Sequence, residues 1–240
     1  MKNVMTNKTY KTKSSDNKFT NTIDAKENIR MEATTTEIET HPFEPVLPPN
    51  ATLMMMGTFP PTYDKWAMQF HYPNFYNDMW RIYGGAFFDD VNYFRVGDEK
   101  HFDPKRIRDF LFERGIALCP TVRQAIRETG NASDKNLTVV TPVDLDTILP
   151  KVPKIEALFT TGGKATEVLL NLLNDPPIKS KQPKTNQSIG YPYQWHNQST
   201  KAQAPELTLY RLPSTSRAYP LALDKKVAAY KAFFEKMGKL

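Results

Sequence analysis

Cysteine is almost missing: Cys119 is the only one in 240 residues. One thiol excludes a disulfide within the chain, and with it an iron–sulfur cluster or a cysteine-rich zinc site. Histidine is scarce too. His41, His71, His101 and His196 include no pair at metal-ligand spacing and no HExxH, so chemistry without metal or cofactor is expected. No apolar run approaches the ~20 residues of a membrane helix, and the N-terminus lacks the apolar core of a secretory signal. Asp16, Asp24, Glu27 and Glu32 argue against a mitochondrial presequence. An intracellular protein with no membrane partner is the simplest expectation.

What is present suits a globular domain. Hydrophobic residues make up 40% of the chain, and the length is ample for a sizeable core. The formal charge of +6 is compatible with a nucleic-acid partner without requiring one. Residues 1–40 are rich in Lys, Asn, Thr and Glu and poor in large apolar side chains, which predicts a disordered polar tail. Residues 41–240 read as a single α/β domain, with a Pro-, Lys- and Gln-rich loop excursion over 175–204 that holds Tyr191, Tyr193 and Trp195.

Within that domain, Ala51–Met56, "IALCPT", "KIEALFTT" and "ELTLYRLP" have the apolar, β-prone character of buried strands, and "NLTVVTP" suits a short edge strand. Helices are predicted over "NDMWRIYG", with Gly84-Gly85 past its end, over "FDPKRIRDFLFERG" and over "LDKKVAAYKAFFEKMG". A further helix after Gly162-Gly163 shows an apolar face of Val168, Leu169, Leu172 and Leu173. Strands alternating with helices imply a three-layer α/β/α domain with a mainly parallel central sheet. Ligands of such sheets bind at the carboxyl ends of the strands. Four loops therefore matter: "GTFPP", the turn at Cys119, "TTGGKAT" and "LPSTSRAYP".

One stretch joins incompatible residue types. "FHYPNFYNDMWRIYGG" surrounds Asn74, Asn77 and Asp78 with six aromatic rings. A core would refuse the amides, because a buried amide without a partner costs ~1–3 kcal/mol. A pocket for a flat molecule with polar edges would want both. "FTTGGKAT" is no Walker motif: Leu158 stands where a glycine is needed, and Ala165 follows Lys164 where Ser or Thr is needed. It remains a helix N-terminus that can touch a phosphate, with Lys164 beside it, or else a plain tight turn. "RLPSTSRAYP" places Ser214, Thr215 and Ser216 between Pro213 and Arg217, and hydroxyls and amides in a rigid turn suit phosphate oxygens.

These motifs resemble the uracil-DNA glycosylase superfamily, and most closely its hypoxanthine-DNA (deoxyinosine) glycosylase branch. The branch's G-[ST]-F-P loop is matched by "GTFPP", its N-x-[FM]-W motif by "NDMW", and its Pro-Ser-Ser/Thr-Ser loop by "LPSTSRAYP". "HPF" at His41–Phe43 also fits, and the resemblance spans roughly residues 41–238. It implies base-excision repair: cleavage of the N-glycosidic bond of a flipped, deaminated base in DNA by a monomeric, cytoplasmic, nucleoid-associated enzyme. By the same resemblance Asn77 is catalytic; its helix neighbour Asp78 ranks second as a base. Gly57, Thr58, Phe59, Pro60, Tyr72 and Phe75 form the base pocket, and Pro213, Ser214, Thr215, Ser216 and Arg217 hold DNA, with Lys164 added from the helix N-terminus reading above. The chain departs from the pattern in two places. "GTFPP" carries no carboxylate, and Pro120 stands where an acidic residue is expected. Two other readings therefore stay open, a catalytically silent nucleic-acid-binding protein and a hydrolase of free nucleosides or nucleotides.

Overall fold

The computed structural model describes residues 37–128, 136–193 and 206–240. Most of the stretch read as a tail, and Trp195 in the excursion, lie outside these residues. Five strands form the central sheet: β2 (Leu53–Met56), β3 (Ile116–Leu118), β6 (Ala157–Thr161), β7 (Gln187–Pro192) and β8 (Glu206–Leu212). Their order is β3-β2-β6-β8-β7, with β7 alone antiparallel. A second, antiparallel sheet of β1 (Ile38–Thr40), β4 (Val122–Arg127) and β5 (Leu137–Pro142) stands beside it. β1 thus lies in the last residues of the stretch read as tail.

The α/β/α layering follows from period-2 alternation with both faces buried. Leu53 and Met55 face one core and Met54 and Met56 the other. The first core takes α1 (Met79–Phe88), α2 (Pro104–Arg114) and α5 (Leu223–Lys236), through Trp80, Tyr83, Phe110 and Phe234 among others. The second takes the short α3 (Leu145–Ile148) and α4 (Gly163–Asn171). Tyr191 and Tyr193 join that second core, because part of the expected excursion is β7. β4 went unpredicted: "VRQAIR" holds too few apolar residues to stand out, and its pairing comes from β1 and β5.

Local signals fix the helices. Asp103 Oδ1 accepts from the Lys105 and Arg106 N–H groups at 2.9 and 3.0 Å, Pro104 opens α2, and Gly115 closes it at φ +59°. α1 differs from expectation: it runs through Gly84 and Gly85 and stops at Asp89, which is left-handed at φ +53°. The two glycines serve close packing. A Cβ on Gly84 would stand 2.3 Å from the Asp90 carbonyl oxygen, and one on Gly85 would stand 3.0 Å from both methyls of Val227 on α5. Val46 bridges the outer edge of β3 with two hydrogen bonds to Leu118, each 2.8 Å.

Gly84→Ala tests that reason. In a helix interior the change ordinarily gains about 1 kcal/mol. Here the backbone of Asp90 blocks the methyl, so overpacking is expected to win and the variant to lose about 1–3 kcal/mol. Thermal unfolding followed by circular dichroism should show a lower Tm; a higher one would mean the 89–91 turn simply moves aside.

Candidate functional site

β2 lies between β3 and β6, so the chain leaves it first to one side and later to the other. Loops diverge at such a reversal in strand order and open a crevice. A cleft of about 280 Å³ lies there, lined from all four expected loops by Gly57–Pro61, Leu118 and Pro120, Thr161, and Ser214–Ala218. The aromatic stretch adds His71, Tyr72, Asn74, Tyr76 and Asn77, and the segment before β2 adds His41 and Phe43.

The GTFPP loop is held from outside. Thr121 donates to the Gly57 carbonyl from both its N–H and its hydroxyl, each at 2.8 Å. Arg127 grips Glu39 in a bidentate pair at 2.9 and 3.0 Å, donates to the Pro60 carbonyl at 3.1 Å, and lies 5.8 Å over the Phe59 ring. The small antiparallel sheet therefore acts as a buttress for Phe59. Gly57 is glycine for a reason: a Cβ there would stand 2.4 Å from the Tyr72 hydroxyl, which meets Thr161 Oγ1 at 2.9 Å. Tyr72 itself is left-handed at φ +53°, a conformation that costs a non-glycine residue of order 1–3 kcal/mol and persists only where its surroundings enforce it.

The aromatic stretch divides between core and cleft. Phe70, Trp80 and Tyr83 enter the core, with Trp80 Nε1 donating to the His71 carbonyl at 3.0 Å. Tyr72, Asn74, Tyr76 and Asn77 face the cleft. Asn77 Oδ1 accepts the Met79 N–H at 2.9 Å, as an Asx turn into α1. That donor identifies the oxygen, so the Asn77 amide nitrogen is the other end of the group, and no described residue accepts from it.

The PSTSR loop braces itself. Ser214 Oγ accepts the Ser216 N–H and Ser216 Oγ accepts the Ala218 N–H, both at 3.2 Å. Each hydroxyl keeps its own O–H to donate. The Thr215 carbonyl accepts from the Asp78 N–H at 2.9 Å, and the Ser216 carbonyl accepts from Lys226 Nζ at 2.8 Å. Lys226, only 1% exposed, also pairs with Asp78 Oδ2 at 2.7 Å, while Arg217 Nε approaches Asp78 Oδ1 at 3.5 Å. Arg217 lies 5.1 Å over the Tyr76 ring.

Of the predicted residues, four stand elsewhere. Phe75 packs between Arg81, 4.3 Å over its ring, and Phe102 at 5.2 Å; it turns away because Arg81 pins its carbonyl at 2.5 Å. Lys164 pairs with Glu167 at 3.0 Å on the exposed side of α4 and does not line the cleft. Pro213 is buried behind the loop, its carbonyl accepting from the Tyr230 hydroxyl at 2.9 Å. Asp78 is engaged by Lys226 and lines no part of the cleft, a placement that suits a structural ion. Sequence reasoning missed the pairing of His41 with His71, whose ring centroids are 5.7 Å apart across a separation of 30 residues in sequence. Among the described residues no three His, Cys, Asp or Glu side chains gather to hold a metal, and no helix is long and apolar enough to cross a membrane.

Burial sets the protonation of the site. Desolvation holds the His41 and His71 imidazoles down to about 4 and about 3, and His71 Nε2 donates to the Glu44 carbonyl at 2.9 Å. Both are neutral near pH 7. Burial pushes the Cys119 thiol up to about 12, which removes it as a nucleophile.

Neither a protein-family model nor a curated protein matches the sequence. The fold does find a match. A solution NMR structure from Methanosarcina acetivorans, provisionally described as a uracil DNA glycosylase, aligns with a TM-score of 0.53 and 18% identity over 84% of this chain and 99% of that one. The fold is uracil-DNA-glycosylase-like. At that identity the likeness is one of fold, and chemistry must be argued from the cleft.

Two stability measurements check this account of the site. Asp78→Ala strands a buried ammonium and is expected to lose about 3–5 kcal/mol in urea unfolding. Removing both charges, as Asp78→Leu with Lys226→Met, should recover much of that; a single variant as stable as wild type would free Asp78 for catalysis. The histidines predict a pH effect. The unfolded chain protonates them near 6.5 and the native one only near 4 and 3, so unfolding takes up protons between these values and stability falls as pH drops. From pH 7 to pH 5 these two groups should cost about 3–4 kcal/mol. A urea midpoint unchanged over that range would contradict their burial.

Proposed function

We propose that the chain is a monofunctional DNA glycosylase. It hydrolyses the N-glycosidic bond of a deaminated base, hypoxanthine or uracil, flipped out of DNA into the cleft. Action as a monomer without cofactor is part of the reading. The observation that carries it is the Asn77 amide, committed at its oxygen and open at its nitrogen, in a cleft that also offers the rings of Phe59 and Tyr72.

A flipped base needs aromatic faces to replace lost stacking and polar groups to read its edge. As the C1′–N bond breaks, its electron pair leaves with the base and positive charge grows on the sugar. The Asn77 Nδ2–H donates to the oxygen or nitrogen of the departing base where that negative charge collects. Water then bonds to C1′ and its proton passes to base or solvent. Among the described residues no carboxylate lines the cleft, so in this reading the rate rests on leaving-group stabilisation and on a grip that holds the nucleotide extruded. The Ser214 and Ser216 hydroxyls and Arg217 supply that grip on flanking phosphates.

The missing carboxylate also supports a second reading, a nucleic-acid-binding protein that keeps the fold without turnover. Single-turnover assays on oligonucleotides containing deoxyinosine or deoxyuridine, with alkali to reveal abasic sites, separate the two. Wild type should form product, and Asn77→Ala should slow about 10- to 150-fold, the worth of one charge-assisted hydrogen bond. Tight binding without product on any lesion would leave the second reading standing.

A further inference from the structure

Three aromatic rings among the described residues stand more than one-third exposed: Tyr63 at 70%, Tyr76 at 51% and Phe112 at 43%. One of them lines the cleft, and a second is linked to its wall. Tyr76 lines it beneath the Arg217 guanidinium, and Tyr63 follows two residues after Pro61 of the GTFPP loop. Tyr63 is no loose side chain. Its ring lies 5.0 Å from Trp66, whose indole N–H donates to the Pro61 carbonyl at 2.8 Å, and Trp66 lies 4.9 Å from Phe43, which lines the cleft. A train of rings therefore leads from the cleft wall to an exposed Tyr63. The turn Tyr63–Lys65 carries one acid and one base, Asp64 and Lys65, so it presents a ring rather than net charge.

We propose that Tyr63, backed by Trp66 and Phe43, and Tyr76, beneath Arg217, are stacking platforms for unpaired nucleobases next to the one in the cleft, so that single-stranded DNA is the preferred substrate. This rests on the glycosylase reading for the occupant of the cleft. Bases beside a lesion in a duplex are already stacked on their neighbours and gain little from a tyrosine. In a single strand they are free to exchange solvent for a ring.

Fluorescence anisotropy with a labelled, unmodified oligothymidylate of about 10 nucleotides tests the platforms without turnover. Tyr63→Ala and Tyr76→Ala should each weaken binding about 5- to 150-fold, and Tyr63→Phe should restore it. Phe112→Ala, equally aromatic but away from the cleft lining, should change nothing. The slope of log affinity against log salt should survive Tyr63→Ala and fall by about 1 in Arg217→Ala, as loss of a ring and of a phosphate contact respectively. Wild-type affinity in Tyr63→Ala, or duplex bound as tightly as single strand, overturns the proposal. If excision occurs while Tyr63→Ala binds normally, the glycosylase reading stands and the platforms fall. If binding depends on Tyr63 but no lesion is excised, the platforms stand and the glycosylase reading falls.

Discussion

The buried pair of Lys226 and Asp78 is the contact on which the site's geometry depends. It joins α5 to the start of α1, and through the Ser216 carbonyl it also fixes the loop after β8. Withdrawing two ions from water costs several kcal/mol each, and their attraction offsets this only with good geometry and further hydrogen bonds. Both conditions are met: the 2.7 Å pair is completed by the Ser216 carbonyl on one ion, and Arg217 stands near the other. Such a pair adds little net stability over well-packed apolar side chains. What it adds is definition, because α1 and the PSTSR loop cannot shift independently without stranding a charge. Asn77 precedes Asp78 and Arg217 follows Ser216, so the amide and the guanidinium at the cleft inherit one common frame.

The GTFPP loop is secured on different terms, by neutral hydrogen bonds to the Gly57 carbonyl and by the Arg127–Glu39 pair from the small sheet. The cleft is thus assembled from two rigid bodies. One is the loop after β2 with its buttress, and the other is the α1 start with the loop after β8. Tyr72 lies between them, held left-handed against Gly57 and Thr161. That arrangement favours pre-organisation: the rings and the amide are in place before any ligand arrives, and their ordering entropy is met during folding rather than binding.

Much of this was legible in the sequence, for identifiable reasons. Buried parallel strands such as "LMMM" and "ALFTT" announce themselves by unbroken apolar runs, and Asp103, Pro104 and Gly115 bracket α2 by chemistry local to them. The four cleft loops followed from the placement of ligands at the carboxyl ends of parallel strands. What stayed hidden depends on tertiary contacts, several of them between residues distant in sequence. Gly84 and Gly85 look like a helix stop until Val227 and the Asp90 carbonyl are seen against them. Phe75 looks like its neighbours until Arg81 turns it away. Asp78 looks like a base until Lys226, 148 residues later, is found beneath it. His41 and His71 carry no spacing signal because they meet across the β2 strand and its loop. Their neutrality is a product of burial, which no motif encodes.

Val46 has a consequence of another kind. By pairing both of its hydrogen-bonding groups with Leu118 it occupies the outer rim of β3. The opposite rim, β7, ends in Pro192, whose nitrogen has no hydrogen to offer a newcomer. Uncovered strand rims are where folded proteins recruit one another into fibres and precipitates. With one rim capped and the other blunted, the native five-stranded sheet is a poor template for such growth. Colloidal loss on concentration or mild heating should therefore track the unfolded fraction and not the folded one.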